Sequence, residues 1–100
     1  MKRITSVVAT AVAAAALAAG CATQSPPTEQ LAFSEAAFRD ALRAGAADAA
    51  PAELALARRK LELTRRWMEV GDYKPARWLA EQAQVDAELA SMKAMARGRP

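Results

Sequence analysis

The sequence predicts an all-α protein: a small antiparallel three-helix assembly built on a helical hairpin, after an extended N-terminal tether. Three observations carry this expectation. Positions 28–97 are rich in Ala, Leu, Arg and Glu and poor in β-branched residues, a composition that favours helix. Apolar residues recur there at helical spacing. Glycine and proline punctuate the segment twice, at Gly45 with Pro51 and at Gly71-Asp72 with Pro75, and so divide it into three.

The N-terminal residues read as an address. Met1-Lys2-Arg3 is basic, 4–19 is apolar, and Ala19-Gly20 supplies small residues before a cut, the three parts of a secretory signal over 1–20. A membrane-spanning helix takes about 20 strongly apolar residues. This run is shorter and mostly alanine, so a removable signal is expected in place of a permanent span. Cys21, the only cysteine, comes next and has no partner for an internal disulfide. Leu17-Ala18-Ala19-Gly20-Cys21 resembles the lipobox of bacterial lipoproteins, with Ala18 standing where leucine is usual.

That resemblance implies cleavage between Gly20 and Cys21, a diacylglycerol thioether on the Cys21 sulfur, and a further acyl chain such as palmitate on the freed amine. No other cofactor is expected. Each buried CH₂ contributes about 0.8 kcal/mol and one chain binds membranes only reversibly, so two or three chains make a lasting anchor. In such lipoproteins an aspartate after the cysteine tends to hold the protein at the inner membrane. Ala22 stands there, which implies the periplasmic face of the outer membrane of a Gram-negative bacterium. The competing reading is an ordinary signal peptide followed by a chance cysteine or a small buried thiol.

After the cut, 21–100 is one small domain, at a size where a single core is barely sufficient. Of the net charge of +3, Lys2 and Arg3 account for two, so the remainder is nearly balanced and does not point to nucleic acid. Residues 22–27, with Pro26-Pro27, read as an extended, flexible tether. A first helix is expected over 29–44, with Thr28 as N-cap and Leu31, Phe38, Ala41 and Leu42 on one face, ending at Gly45. A connector over 46–50 leads to a second helix over 51–70, opened by Pro51. Its apolar residues form two stripes, Leu54-Ala57-Leu61-Thr64-Met68 and Leu56-Leu63-Trp67-Val70, roughly 130° apart. Two stripes predict a helix covered on two sides, the middle of the three. Asp72 is the expected N-cap of a third helix over 74–96, after which 98–100 frays. On that helix Ala76, Leu79, Ala80, Ala83, Ala87, Ala90 and Ala94 form a small-residue seam suited to close packing.

No catalytic constellation stands in the chain. Histidine is absent, Ser25, Ser34 and Ser91 have no base or oxyanion context, and the carboxylates do not cluster at metal-ligand spacing. The expectation is a non-enzymatic protein with no metal. Arg58-Arg59-Lys60 and Arg65-Arg66 look like a basic patch, but Glu62 and Glu69 fall four residues from arginines, the spacing of intrahelical ion pairs on a solvated face. Trp78, Val85, Leu89 and Met92 lie on the third helix opposite the alanine seam. They are either core, covered by the first helix or the chain end, or a groove for a partner or a second copy.

Several of these residues carry a resemblance. Ala44-Gly45-Ala46, Ala50-Pro51-Ala52-Glu53-Leu54, Ala57, Lys60-Leu61, Gly71-Asp72-Tyr73, Ala76, Leu79-Ala80-Glu81-Gln82-Ala83, Asp86-Ala87 and Ala90 together resemble the domain-of-unknown-function family 4398 (DUF4398) of small Gram-negative lipoproteins. Ala49 departs from it, since an aromatic often stands there. Some members precede a peptidoglycan-binding OmpA-like domain. None stands in these residues, so cell-wall binding is not carried over. Gly71 to Ala76 also resembles the turn of a single tetratricopeptide-like hairpin, although Thr64 stands where that repeat prefers glycine and solenoids need about three units.

The resulting expectation is a lipid-anchored envelope lipoprotein acting as a helical interaction module, with Trp78, Val85, Leu89 and Met92 as the contact residues for an envelope protein or for itself. The alternative is a structural lipoprotein that contacts peptidoglycan or spaces the envelope layers.

Overall fold

A computed structural model describes residues 25–98. The segment expected to be a signal peptide over 1–20, the expected cleavage site at Gly20 and Cys21, Cys21 as the expected acylation site, 22–24 and the last two residues lie outside the described residues. Four helices follow: α1 over Thr28–Arg43, a short α2 over Ala46–Ala49, α3 over Pro51–Glu69 and α4 over Tyr73–Arg97.

The first difference from expectation is α2, where a plain connector was predicted. Gly45 takes the left-handed conformation, at φ 89° and ψ 24°, which turns the chain after α1. Its carbonyl then accepts from the N–H groups of Asp48 and Ala49, each at 3.2 Å, and the alanines continue as one helical turn. Ala46 and Ala50 on that turn are buried with Ala41, Leu54, Ala90 and Ala94, so the connector is part of the core. A Cβ built on Gly45 meets nothing within 4 Å, and the obstacle to alanine there is the backbone conformation alone. Gly45→Ala is expected to cost about 1–2 kcal/mol, measured by urea unfolding, with an unchanged m-value.

The α3–α4 turn is a Schellman motif. Gly71, at φ 77°, donates its N–H to the Met68 carbonyl at 3.1 Å, and the Asp72 N–H reaches the Trp67 carbonyl at 3.0 Å. Asp72 occupies the N-cap position of α4 with extended backbone, but its side chain caps nothing. Thr28 is likewise not a cap. It is the first residue of α1, and Pro27 precedes it, buried, with its carbonyl accepting from the Leu31 N–H at 2.9 Å.

Cross-helix pairs give the directions. Glu53 with Lys93 and Lys60 with Asp86 join α3 to α4, so these two run oppositely. Arg65 with Glu35, and the Arg58 guanidinium 5.4 Å from the centre of the Phe38 ring, join α3 to α1, also oppositely. Two of the arginines expected to pair within α3, Arg58 and Arg65, therefore reach across to α1 instead, where a ring and a carboxylate stand. At the two ends of α4, Arg77 donates to the Ser25 carbonyl and Arg97 to that of Asp48, which sets α1 and α4 side by side in the same direction.

The second difference concerns the centre. α4, not α3, is the helix covered on two sides: it packs extensively against both α1 and α3, which touch each other far less. The physical reason lies in the seam. Ala76, Leu79, Ala80, Ala83, Ala87, Ala90 and Ala94 are all buried, and small side chains there admit two neighbours at close range. Ser34 of α1 shows how close: its buried hydroxyl lies within hydrogen-bonding distance of the backbone carbonyl of Ala80 in α4. Beside it, Gln30 donates to Gln84 at 2.7 Å across the same seam.

Candidate functional site

With α4 in the middle, the second stripe of α3 has no helix to cover it. Leu56, Trp67 and Val70 are exposed and Leu63 is half-buried. On α4, Trp78, Val85 and Met92 are 57, 63 and 57 % exposed and Leu89 is 38 % exposed. The stripe opposite the alanine seam is thus not core. Exposed apolar side chains in contiguous array mark interaction surfaces more often than they mark chance.

The ion pairs place these two stripes beside each other. Glu53 stands level with Lys93 and Lys60 with Asp86, so Trp67 falls level with Leu79 and Leu56 with Ala90. At about 100° per residue, Leu56, Leu63 and Trp67 project from the flank of α3 that carries Glu53 and Lys60, away from the Arg58 and Arg65 flank that meets α1. Trp78, Val85 and Leu89 project likewise from α4. One apolar face therefore spans the α3–α4 hairpin on the side away from α1. Lys60, Trp78, Glu81, Gln82, Val85 and Asp86 line a shallow cleft of about 470 Å³ within it.

The Lys60–Asp86 pair crosses this face at 2.7 Å, with both side chains largely covered. The Glu53 carboxylate, which accepts from Lys93, is held below its ordinary pKa chiefly by that hydrogen bond and then by its own backbone N–H. A lowered folded-state value means that the contribution is complete above the unfolded carboxyl pKa and is lost as pH falls through the folded one. Lys93→Ala is expected to move the Glu53 titration midpoint upward, read by NMR at the side-chain carboxyl carbon, with little change in stability because the lysine is exposed.

Met92 departs from the other three. It turns toward α1, where Phe33, Ala36, Ala37, Met92 and Met95 line a second groove, of about 530 Å³. The predicted contact set therefore divides: Trp78, Val85 and Leu89 join the hairpin face, and Met92 joins the α1–α4 groove. Leu56, Leu63, Trp67, Phe33 and Met95 were missing from the predicted set. The α3 stripe was visible as periodicity but assigned to the interior; the near-continuous alanine seam on α4 was the signal that could have moved the centre.

Among the described residues no group of three or more His, Cys, Asp or Glu is placed to hold a metal, and no helix is long and apolar enough to cross a membrane. Ser34 is buried and bonded to backbone carbonyls, and no side chain stands beside it as a base. The family model described as "Domain of unknown function (DUF4398)" matches residues 29–98. No curated protein and no solved structure matches the chain.

Proposed function

We propose, from the fact that this chain belongs to the DUF4398 family, that it is a lipid-anchored lipoprotein of the outer membrane, facing the periplasm. Its helical domain is a non-catalytic interaction module whose architecture is three long helices built on the α3–α4 hairpin. The exposed face of that hairpin carries the reading: two tryptophans, leucines and a valine held in water by rigid helices. A domain this small spends stability by leaving such surface uncovered, at about 25 cal/mol per Å² of apolar area. A covering partner would recover it. The anchor rests on the order of residues before and at Cys21, and Pro26-Pro27 then leads into the domain.

Two measurements test this. Metabolic labelling with a palmitate analogue is expected to label the wild type and not Cys21→Ser, and Cys21→Ser is expected to leave the outer-membrane fraction. Equal labelling of both would end the lipoprotein reading. Separately, a photo-crosslinking residue in place of Trp78 is expected to give a discrete adduct in living cells, while one in place of the exposed Arg39 on α1 gives none. Identical behaviour at both sites would remove the hairpin face as the contact.

A further inference from the structure

The hairpin face has an asymmetry of charge that bears on what covers it. Its α3 edge carries Arg59 and Arg66, both exposed; its α4 edge carries Lys74 in the first turn, then Glu81 and Glu88, all exposed, with Glu88 on the ridge shared with the α1–α4 groove. Arg59, Arg66, Glu81 and Glu88 take part in no ion pair among the described residues; Glu88 accepts from Gln84. The surface thus has an apolar middle, one rim with two arginines and one with two glutamates beyond Lys74, the composition of a patch that can complement itself.

We propose that a second copy of this chain covers the face, related by a two-fold axis parallel to the helices, so that each α3 lies along the α4 of its partner. This rests on the reading of that face as an interaction surface and names its occupant. Such an axis leaves the level of every residue unchanged while exchanging the two edges. By the register of the Glu53–Lys93 and Lys60–Asp86 pairs, Arg59 is level with Ala87 and Arg66 with Ala80. Arg59 therefore meets Glu88 of the partner subunit, and Arg66 meets Glu81 of the partner subunit. In the middle, Trp67 lies against the partner's Trp78 and Leu56 against the partner's Leu89. The Lys60–Asp86 pair enters the interface with its own counter-charge and leaves no orphan.

Two observations select this axis over a two-fold perpendicular to the helices. The perpendicular axis lays α3 on α3 and opposes arginine to arginine, which like-charge repulsion disfavours. It also sends the two chain starts to opposite ends. The parallel axis keeps both Ser25 residues, and the anchors that precede them, at one end, where a single membrane can hold both copies.

The test uses the full chain in detergent, by analytical ultracentrifugation, with circular dichroism as the control on folding. The wild type is expected to sediment as a dimer. The double variants Arg59→Glu/Arg66→Glu and Glu81→Arg/Glu88→Arg are each expected to weaken self-association about 100-fold. Mixing the two variants, or placing all four substitutions in one chain, is expected to restore the dimer. Because both tryptophans of the chain lie in this face, quenching of their emission by acrylamide should rise as the dimer dissociates. A monomeric wild type overturns the proposal. Accessible tryptophans would then assign the face to a different protein. A dimer insensitive to both charge reversals overturns it as well. None of these outcomes touches palmitate labelling at Cys21, so the anchoring can stand or fall separately.

Discussion

Leu61→Ala is expected to lower unfolding free energy by about 2–5 kcal/mol, a large part of the total for this domain. Among the described residues, ten of the thirteen buried hydrophobic residues are alanine, and the other three are Leu54, Leu61 and Leu79. Leu61 is 3 % exposed and sits mid-helix in α3, where neither end can fray to fill the space it leaves. At roughly 0.05–0.15 kcal/mol per residue, a domain of this length has about 4–11 kcal/mol in all. Thermal unfolding followed by circular dichroism should show the midpoint falling by about 4–8 °C for each kcal/mol lost. A fall of only a degree or two would mean that α3 is not held by this stripe.

The opposite change in volume is nearly as severe. Ala87→Leu adds three carbon atoms at a fully buried position of the central helix, between both neighbours. Overpacking costs about 1–3 kcal/mol and sometimes more where the backbone must move. Here it must, because Ser34 already approaches the α4 backbone at Ala80 and leaves the seam no slack. Ala96→Leu, on the exposed side of the same helix, is the matched comparison and should stay within about 0.5 kcal/mol of wild type. Chemical denaturation of the pair separates a packing effect from any difference in helix propensity, which the two substitutions share.

Leu56, Leu63, Trp67 and Val70 show where sequence reasoning reached its limit. Their spacing identifies a stripe, and stripes are local facts: helix geometry alone puts these residues on one side of α3. What covers a stripe is not local. The expectation that a second helix lies over it failed because the neighbour chose α4, whose alanines allow closer approach than the larger side chains of α3. The short α2 was missed for a related reason. Four residues make a single turn with no periodicity to read, and its helicity comes from packing Ala46 and Ala50 into the core. Helices this short gain little from propensity and form where tertiary contacts hold them.

The amino-acid order alone settles that 28–97 is mostly helical, that the chain turns at Gly45 and Gly71, and that Pro51 begins a helix. Propensity, positive φ and a missing N–H each act within a few residues and need no knowledge of the rest. Only the folded arrangement decides that α4 is central, that Trp78, Val85 and Leu89 face water, and that they adjoin the free stripe of α3. An apolar side chain specifies avoidance of water without naming its neighbour. That choice depends on how closely two helices can approach, which side chains on both sides of the contact decide together.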